Sequence, residues 1–162
     1  MRFDILSLFP ESIEPYFQSS ILKIASQKNL AEFHVHNFRD YSTNKHHKVD
    51  DTPYGGGAGM VLSPQPIFDC IQQVKLQNPK AKVIFMSPRG KTITQKKLQS
   101  LKTESGLIII AGRYEGLDQR VIDLCVDEEI SLGDFILCGG ELPALCLVEG
   151  ITRLLPRVLG NS

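Results

Sequence analysis

The strongest constraint on the fold lies between Leu107 and Pro143. Two short apolar runs there, Leu107–Ala111 and Phe135–Leu137, each stop at or near glycine beside charged residues. Apolar runs this short, bounded by glycine, suit buried strands better than helices. The first gives way to Gly112-Arg113-Tyr114-Glu115-Gly116 and the second to Gly139-Gly140-Glu141. Buried strands that end in glycine-flanked polar turns are where open α/β sheets hold their ligands. The pattern predicts a small-molecule site at these turns.

The rest of the chain supplies the sheet that such a site needs. Phe3–Phe9 reads as a first strand closed by Pro10. A helix is expected next, with Ile21, Leu22, Ile24 and Ala25 on its apolar face. Ala31–Phe38 alternates as a half-buried strand, with Phe33 and Val35 inward and His34 and His36 on the water side. Ser63 caps a helix begun by Pro64, whose apolar face is Ile67, Phe68, Ile71 and Val74. Lys82–Met86 is a buried strand ending in Ser87-Pro88-Arg89-Gly90, and helices are expected over Thr94–Leu101 and Leu117–Leu124. A last helix, roughly Leu142–Leu155, is apolar around too much of its surface for one stripe, so it is buried on two sides or faces a second subunit. Strands alternating with helices predict an α/β fold, a mostly parallel sheet flanked by helices, in one domain over residues 1–162. Parallel strands would bring the three turns to one edge, where glycine lets main-chain groups approach a ligand such as a purine ring. Any one of them is most simply a tight turn; three together favour a site.

Residues 39–62 break every periodicity, and a loop of that length inside a compact domain is usually functional or disordered. Arg39, Lys45, His46, His47 and Lys48 suit contact with phosphates, and Asp50 and Asp51 offset their charge. Composition alone leaves a flexible loop and a substrate-facing loop equally open.

Eighteen basic and eighteen acidic residues balance to zero, which weighs against a dedicated nucleic-acid binder without excluding a local basic patch. No apolar run approaches the roughly 20 residues of a membrane span, and the N-terminus lacks a signal-peptide pattern. The four cysteines form no CxxC pair and no metal-like spacing. Three sit in apolar segments and read as small buried hydrophobes in a reducing, cytoplasmic compartment. There is no P-loop, dinucleotide fingerprint, G-x-S-x-G elbow or H-E-x-x-H. Covalent and zinc mechanisms therefore give way to catalysis by positioning, with Glu115 and Asp134 near a cationic centre.

The segments FDILSLFPE, RDYSTNKHHKVDDTPYGGGAGM, SPRG, GRYEG, DEEISLGDFILCGGELPA and RLLPRVLG together resemble bacterial tRNA (guanine-N1-)-methyltransferases of the knotted SPOUT superfamily. The resemblance covers nearly the whole chain. It implies a C-terminal trefoil knot, against the general rarity of knots. It also implies S-adenosylmethionine as cofactor and N1 of the guanine immediately 3′ of the anticodon as methyl acceptor. Carried over by motif, the cofactor pocket is Met86, Ser87, Pro88, Gly112, Gly116, Ile130, Ser131, Leu132, Gly133, Asp134, Phe135, Ile136, Leu137, Gly139, Gly140 and Pro143. Glu115 would lie near the transferring methyl, and Arg153 would stabilise charge on the guanine. Arg39, Lys45, His46, Asp50, Tyr54, Gly55, Gly56, Gly57, Gly59 and Arg113 would hold the tRNA. The family works as a cytoplasmic homodimer with its active site at the subunit interface.

Phe85-Met86 stands where relatives often have Tyr-Leu, and Cys138 where many have Ser. Relatives continue into a linker bearing the aspartate thought to be the general base and a helical tRNA-binding domain. The resemblance therefore implies a cofactor-binding part that is weakly active or inactive by itself. A non-catalytic module binding S-adenosylmethionine or RNA is the alternative, and a generic nucleotide-binding domain a third reading.

Overall fold

A computed structural model describes residues 1–53, 56–113 and 115–160. Five strands form one sheet: β1 (Arg2–Ser7), β2 (Glu32–Asn37), β5 (Lys82–Thr92), β6 (Gly106–Ala111) and β7 (Glu128–Ser131), in the order β2-β1-β6-β5-β7. Every pairing in it is parallel. A two-residue antiparallel pair, β3 (Asp50–Asp51) with β4 (Val61–Leu62), lies apart from the sheet. The helices are α1 (Glu14–Phe17), α2 (Ser20–Gln27), α3 (Pro64–Gln77), α4 (Gln95–Leu101), α5 (Gln119–Cys125) and α6 (Glu141–Thr152).

β1 and β6 are buried on both faces, as near-continuous apolar runs in a parallel sheet should be. One layer of core joins Phe3, Ile5, Ile84, Ile109 and Leu147 on the α2, α4 and α6 side. The other joins Leu6, Ile71, Val83, Ile108 and Val121 on the α3 and α5 side. α6 packs against α2, α4, β1 and β6, which accounts for its broad apolar surface. Only Leu142 among its large apolar side chains stays exposed.

Several local expectations need correction. Phe135–Leu137 is no strand. Its side chains are exposed, Ile136 by 85%, and the last strand of the sheet is the acidic β7 just before it. Ser87–Gly90 does not end its strand; it bulges out of β5, which resumes pairing with β7 at Lys91. Ile24 and Phe68 stand exposed on their helices, and Ser63 makes no side-chain cap bond. Cys70 and Cys125 are buried, whereas Cys138 and Cys146 are exposed. The Cys70 thiol is pushed up to about 12 by burial, which makes it inert.

His36 is not a free water-side residue. Its Nε2 lies 2.7 Å from Oδ1 of Asp4, which is fully buried. Arg2 Nε donates to Asp4 Oδ2 at 2.9 Å and Asn78 Nδ2 to the same oxygen at 3.0 Å. Burial pushes the Asp4 carboxyl up, but the hydrogen bonds from His36, Arg2 and Asn78 outweigh it and hold it below the usual range.

β7 pairs with β5, yet Gly139 bridges back to Arg113, and Gly140 N–H donates to Gly112 O at 2.9 Å at the end of β6. Residues 132–139 must therefore cross the C-terminal end of β5 to reach β6. That crossing lies at the C-terminal segment where the resemblance implies a trefoil knot.

Candidate active site

A cavity of about 330 Å³ opens at the C-terminal edge of the sheet, between the β5 bulge, the 112–117 turn and the 131–140 crossing. It is in the size range of small-molecule sites. Its walls include Met86, Ser87, Pro88, Gly112, Gly116, Ser131, Leu132, Gly133, Phe135, Ile136, Leu137, Gly139, Gly140 and Pro143. All the expected cofactor residues are there except Ile130 and Asp134. Strand alternation explains the first: Glu129 and Ser131 face the cavity, so Ile130 turns to the opposite core layer. Asp134 is exposed in the crossing, and Glu129 stands with Glu115 in the cavity wall. Sequence reading missed Glu129, although its period-2 relation to Ser131 was a usable signal.

Gly112 and Gly140 in the walls allow close approach. A Cβ on Gly112 would come within 2.9 Å of the Phe85 ring, and one on Gly140 within 2.9 Å of the Ala111 Cα. Gly116 has φ +115, a conformation that other residues rarely adopt, and nothing fills the space a Cβ would occupy. The two loops are also latched by charge. Arg113 Nε donates to Glu141 Oε1 at 2.6 Å, and its guanidinium carbon lies 4.4 Å from the centre of the Phe9 ring. Burial pushes the Glu141 carboxyl up, and Arg113 only partly opposes it.

Glu115 is exposed at the cavity and anchored through its backbone: its N–H donates to Met60 O at 2.9 Å, and Leu62 N–H donates to Gly116 O at 2.9 Å. The end of the 39–62 loop is thereby zipped to the 115–117 turn. Gly59, at φ +83, lies so near that a Cβ there would sit 2.7 Å from Glu115 Cγ.

These features match known proteins over their whole extent. The family model described as tRNA (Guanine-1)-methyltransferase TrmD matches residues 1–162. The tRNA (guanine-N(1)-)-methyltransferase of Oceanobacillus iheyensis is 54% identical over all of this chain and 66% of its own length. That of Alkaliphilus metalliredigens is 52% identical, with 67% of its length covered. The crystal structure of tRNA (m1G37) methyltransferase from Aquifex aeolicus superposes with a TM-score of 0.92 at 41% identity, over 100% of this chain and 73% of that one. The chain belongs to the tRNA (guanine-1)-methyltransferase family. It spans about two thirds of the length of the curated relatives it matches.

In this family member the other expected residues are dispersed. Lys45, His46, Gly56, Gly57 and Gly59 are exposed along the 39–62 loop, and Asp50 is half-buried in β3. Arg39 donates to His47 O at 3.0 Å, which folds the loop on itself. Tyr54 and Gly55 fall outside the described residues. Arg113 lines the cavity, but Glu141 already holds its guanidinium. Arg153 is exposed at the far end of α6 from Gly140, roughly 20 Å away at 1.5 Å per helical residue, and does not line the cavity.

Proposed function

We propose that this chain binds S-adenosylmethionine in the 330 Å³ cavity and serves a methyltransferase acting on N1 of the tRNA guanine immediately 3′ of the anticodon. Family membership supports the reading, and the glycine-walled cavity between Glu115 and Glu129 carries it. The donor set suits the cofactor. Phe135, Ile136, Leu137 and Pro143 offer an apolar wall for an adenine, and glycine main-chain groups can bond its edges. The two carboxylates suit a cationic sulfonium and ammonium. When bound, the cofactor supplies an electrophilic methyl group.

The chain's own residues would orient and polarise the acceptor. Guanine N1 carries a proton at neutral pH, and a base must take it as N1 attacks. Negative charge then develops towards O6, which the guanidinium of Arg153 is suited to stabilise. The guanine must be splayed out of its stack to enter, as bases of RNA loops can be. The 59–62 segment beside Glu115 would guide it. Because Arg153 lies about 20 Å along α6 from the cavity of its own chain, it would serve the cavity of a second copy. Exposed Phe135, Ile136 and Leu142 are consistent with such a homodimer. A tRNA substrate places the enzyme in the cytoplasm.

Calorimetric titration with S-adenosylmethionine should show saturable binding, and a folded sample that binds none refutes the site. In the active enzyme, Arg153→Ala should lower kcat by about 10²-fold or more with cofactor affinity retained, the scale of losing one charge-stabilising group. Loss of cofactor binding instead would reassign Arg153.

A further inference from the structure

We propose that Arg89 and Glu129 together recognise the amino-acid end of the cofactor, the guanidinium taking its carboxylate and the glutamate its ammonium. The inference rests on the S-adenosylmethionine reading above and deepens it by assigning that end to one stretch of the cavity wall. Among the described residues, four charged side chains line the cavity: Arg89, Arg113, Glu115 and Glu129. The cofactor carries two positive groups, the sulfonium and the ammonium, and one negative group, the carboxylate. The two glutamates answer the positive groups, so the carboxylate needs a cation.

Of the two arginines, Arg89 is the one available. Arg113 Nε donates to Glu141 Oε1 at 2.6 Å, and its guanidinium lies over the Phe9 ring. The N-terminus of α6 is the other positive feature at the cavity. It already has Glu141 in its first turn, and Gly140 N–H is taken by Gly112 O at 2.9 Å. Arg89 is exposed and, among the described residues, paired with no carboxylate.

The β5 bulge sets Arg89 beside Glu129. Met86 and Lys91 both pair with Ile130, so 87–90 loop out next to the residue that follows Glu129. Gly90 lies against β7 so closely that a Cβ on it would come within 2.5 Å of Glu129 O. Arg89 N–H donates to Ser87 Oγ at 3.2 Å, which folds the bulge on itself. The two side chains thus leave main-chain segments in direct contact and line the same cavity without pairing with each other. An unpaired cation and anion side by side complement a zwitterion, whose ammonium and carboxylate share one carbon. Glu115, on the 112–117 turn, is left for the sulfonium.

The test is calorimetric titration with three ligands. S-adenosylmethionine carries every charge, S-adenosylhomocysteine keeps the amino-acid end without the sulfonium, and 5′-methylthioadenosine lacks the amino-acid end. The unaltered protein should prefer S-adenosylhomocysteine to 5′-methylthioadenosine by on the order of 10²-fold, about tenfold for each charged contact. Arg89→Gln and Glu129→Gln should each cut that preference about tenfold, with 5′-methylthioadenosine affinity unchanged, and Arg89→Lys should retain part of it. In Arg89→Gln the ratio of S-adenosylmethionine to S-adenosylhomocysteine affinity, which reads the sulfonium, should stay constant. Lys96→Gln, which removes the same charge outside the cavity wall, should change none of these values. Equal affinity of the unaltered protein for S-adenosylhomocysteine and 5′-methylthioadenosine would overturn the assignment while leaving the cofactor site standing. So would an Arg89→Gln protein that loses both ligands equally or neither, or a loss as large in Lys96→Gln. If none of the three ligands binds, the cofactor reading itself fails, and the assignment with it.

Discussion

Replacing Arg113 with methionine should destabilise the protein by about 3 kcal/mol near pH 8 and by only about 1 kcal/mol near pH 5. Glu141 is 5% exposed, its Oε1 bonded to Arg113 and its Oε2 buried with no hydrogen-bond partner. Without Arg113 the carboxylate is left buried and uncompensated, a loss of about 3–5 kcal/mol in comparable pairs. The low end applies because the Arg113 side chain is itself 27% exposed. Protonation limits the loss. Burial already raises the Glu141 carboxyl above its ordinary value, and removing the arginine raises it further.

The native state thus holds this proton to higher pH than the unfolded chain does. Its stability is greatest below the unfolded value of about 4.3 and declines as pH rises through the raised one. The assay is thermal unfolding at both pH values. For a chain of this size about 3 kcal/mol lowers Tm by roughly 6–12 °C. Glu141→Gln added to Arg113→Met should recover more than about 1 kcal/mol near pH 8 by removing the orphaned charge. A loss that is equal at the two pH values, or no recovery in the double variant, would refute the reasoning.

Two further outcomes follow from the packing. Gly90→Ala should cost about 3 kcal/mol by urea unfolding, because the new methyl meets the β7 main chain, which cannot rotate away, and it should weaken cofactor binding through Glu129. Asp4→Asn should cost about 2 kcal/mol near pH 7, where the ionised carboxylate accepts from Arg2, Asn78 and His36. The Asp4 carboxyl is lowered on folding, so its contribution is present above the unfolded value and lost as pH falls through the folded one. The urea midpoints of the two proteins should therefore draw together as the pH falls below the unfolded value of about 3.9.

Local sequence carried the β1 and β6 strands clearly, because a strand buried on both faces is apolar at most positions. It misled at Phe135–Leu137 for the same reason in reverse. Three apolar residues before glycine look like a core strand, but here they cover a cavity from outside and stay exposed. The true partner of β5 is Glu128–Ser131, whose glutamates hide its strand character: Glu128 faces two lysines and Glu129 faces the cavity. Ser87–Gly90 looked like a terminal turn because Pro and Gly mark turns and bulges alike.

By itself the sequence determined β1, β2, β6, the first half of β5, helices α2 to α6 and the glycine positions, since these follow from periodicity and from residues that allow close approach. Motif resemblance added the family and nearly all of the cavity wall. Tertiary structure alone decided three things. It returned residues 132–139 across β5 to β6, which turns separate loops into one cavity. It put Glu129 in the cavity wall, because alternation along β7 turns Glu129 and Ser131 the same way, while Asp134 stands exposed in the crossing. It also looped Ser87–Gly90 out of β5 into the cavity wall, with pairing to β7 resumed at Lys91. Those outcomes depend on contacts between residues distant in the chain, and no local pattern encodes them.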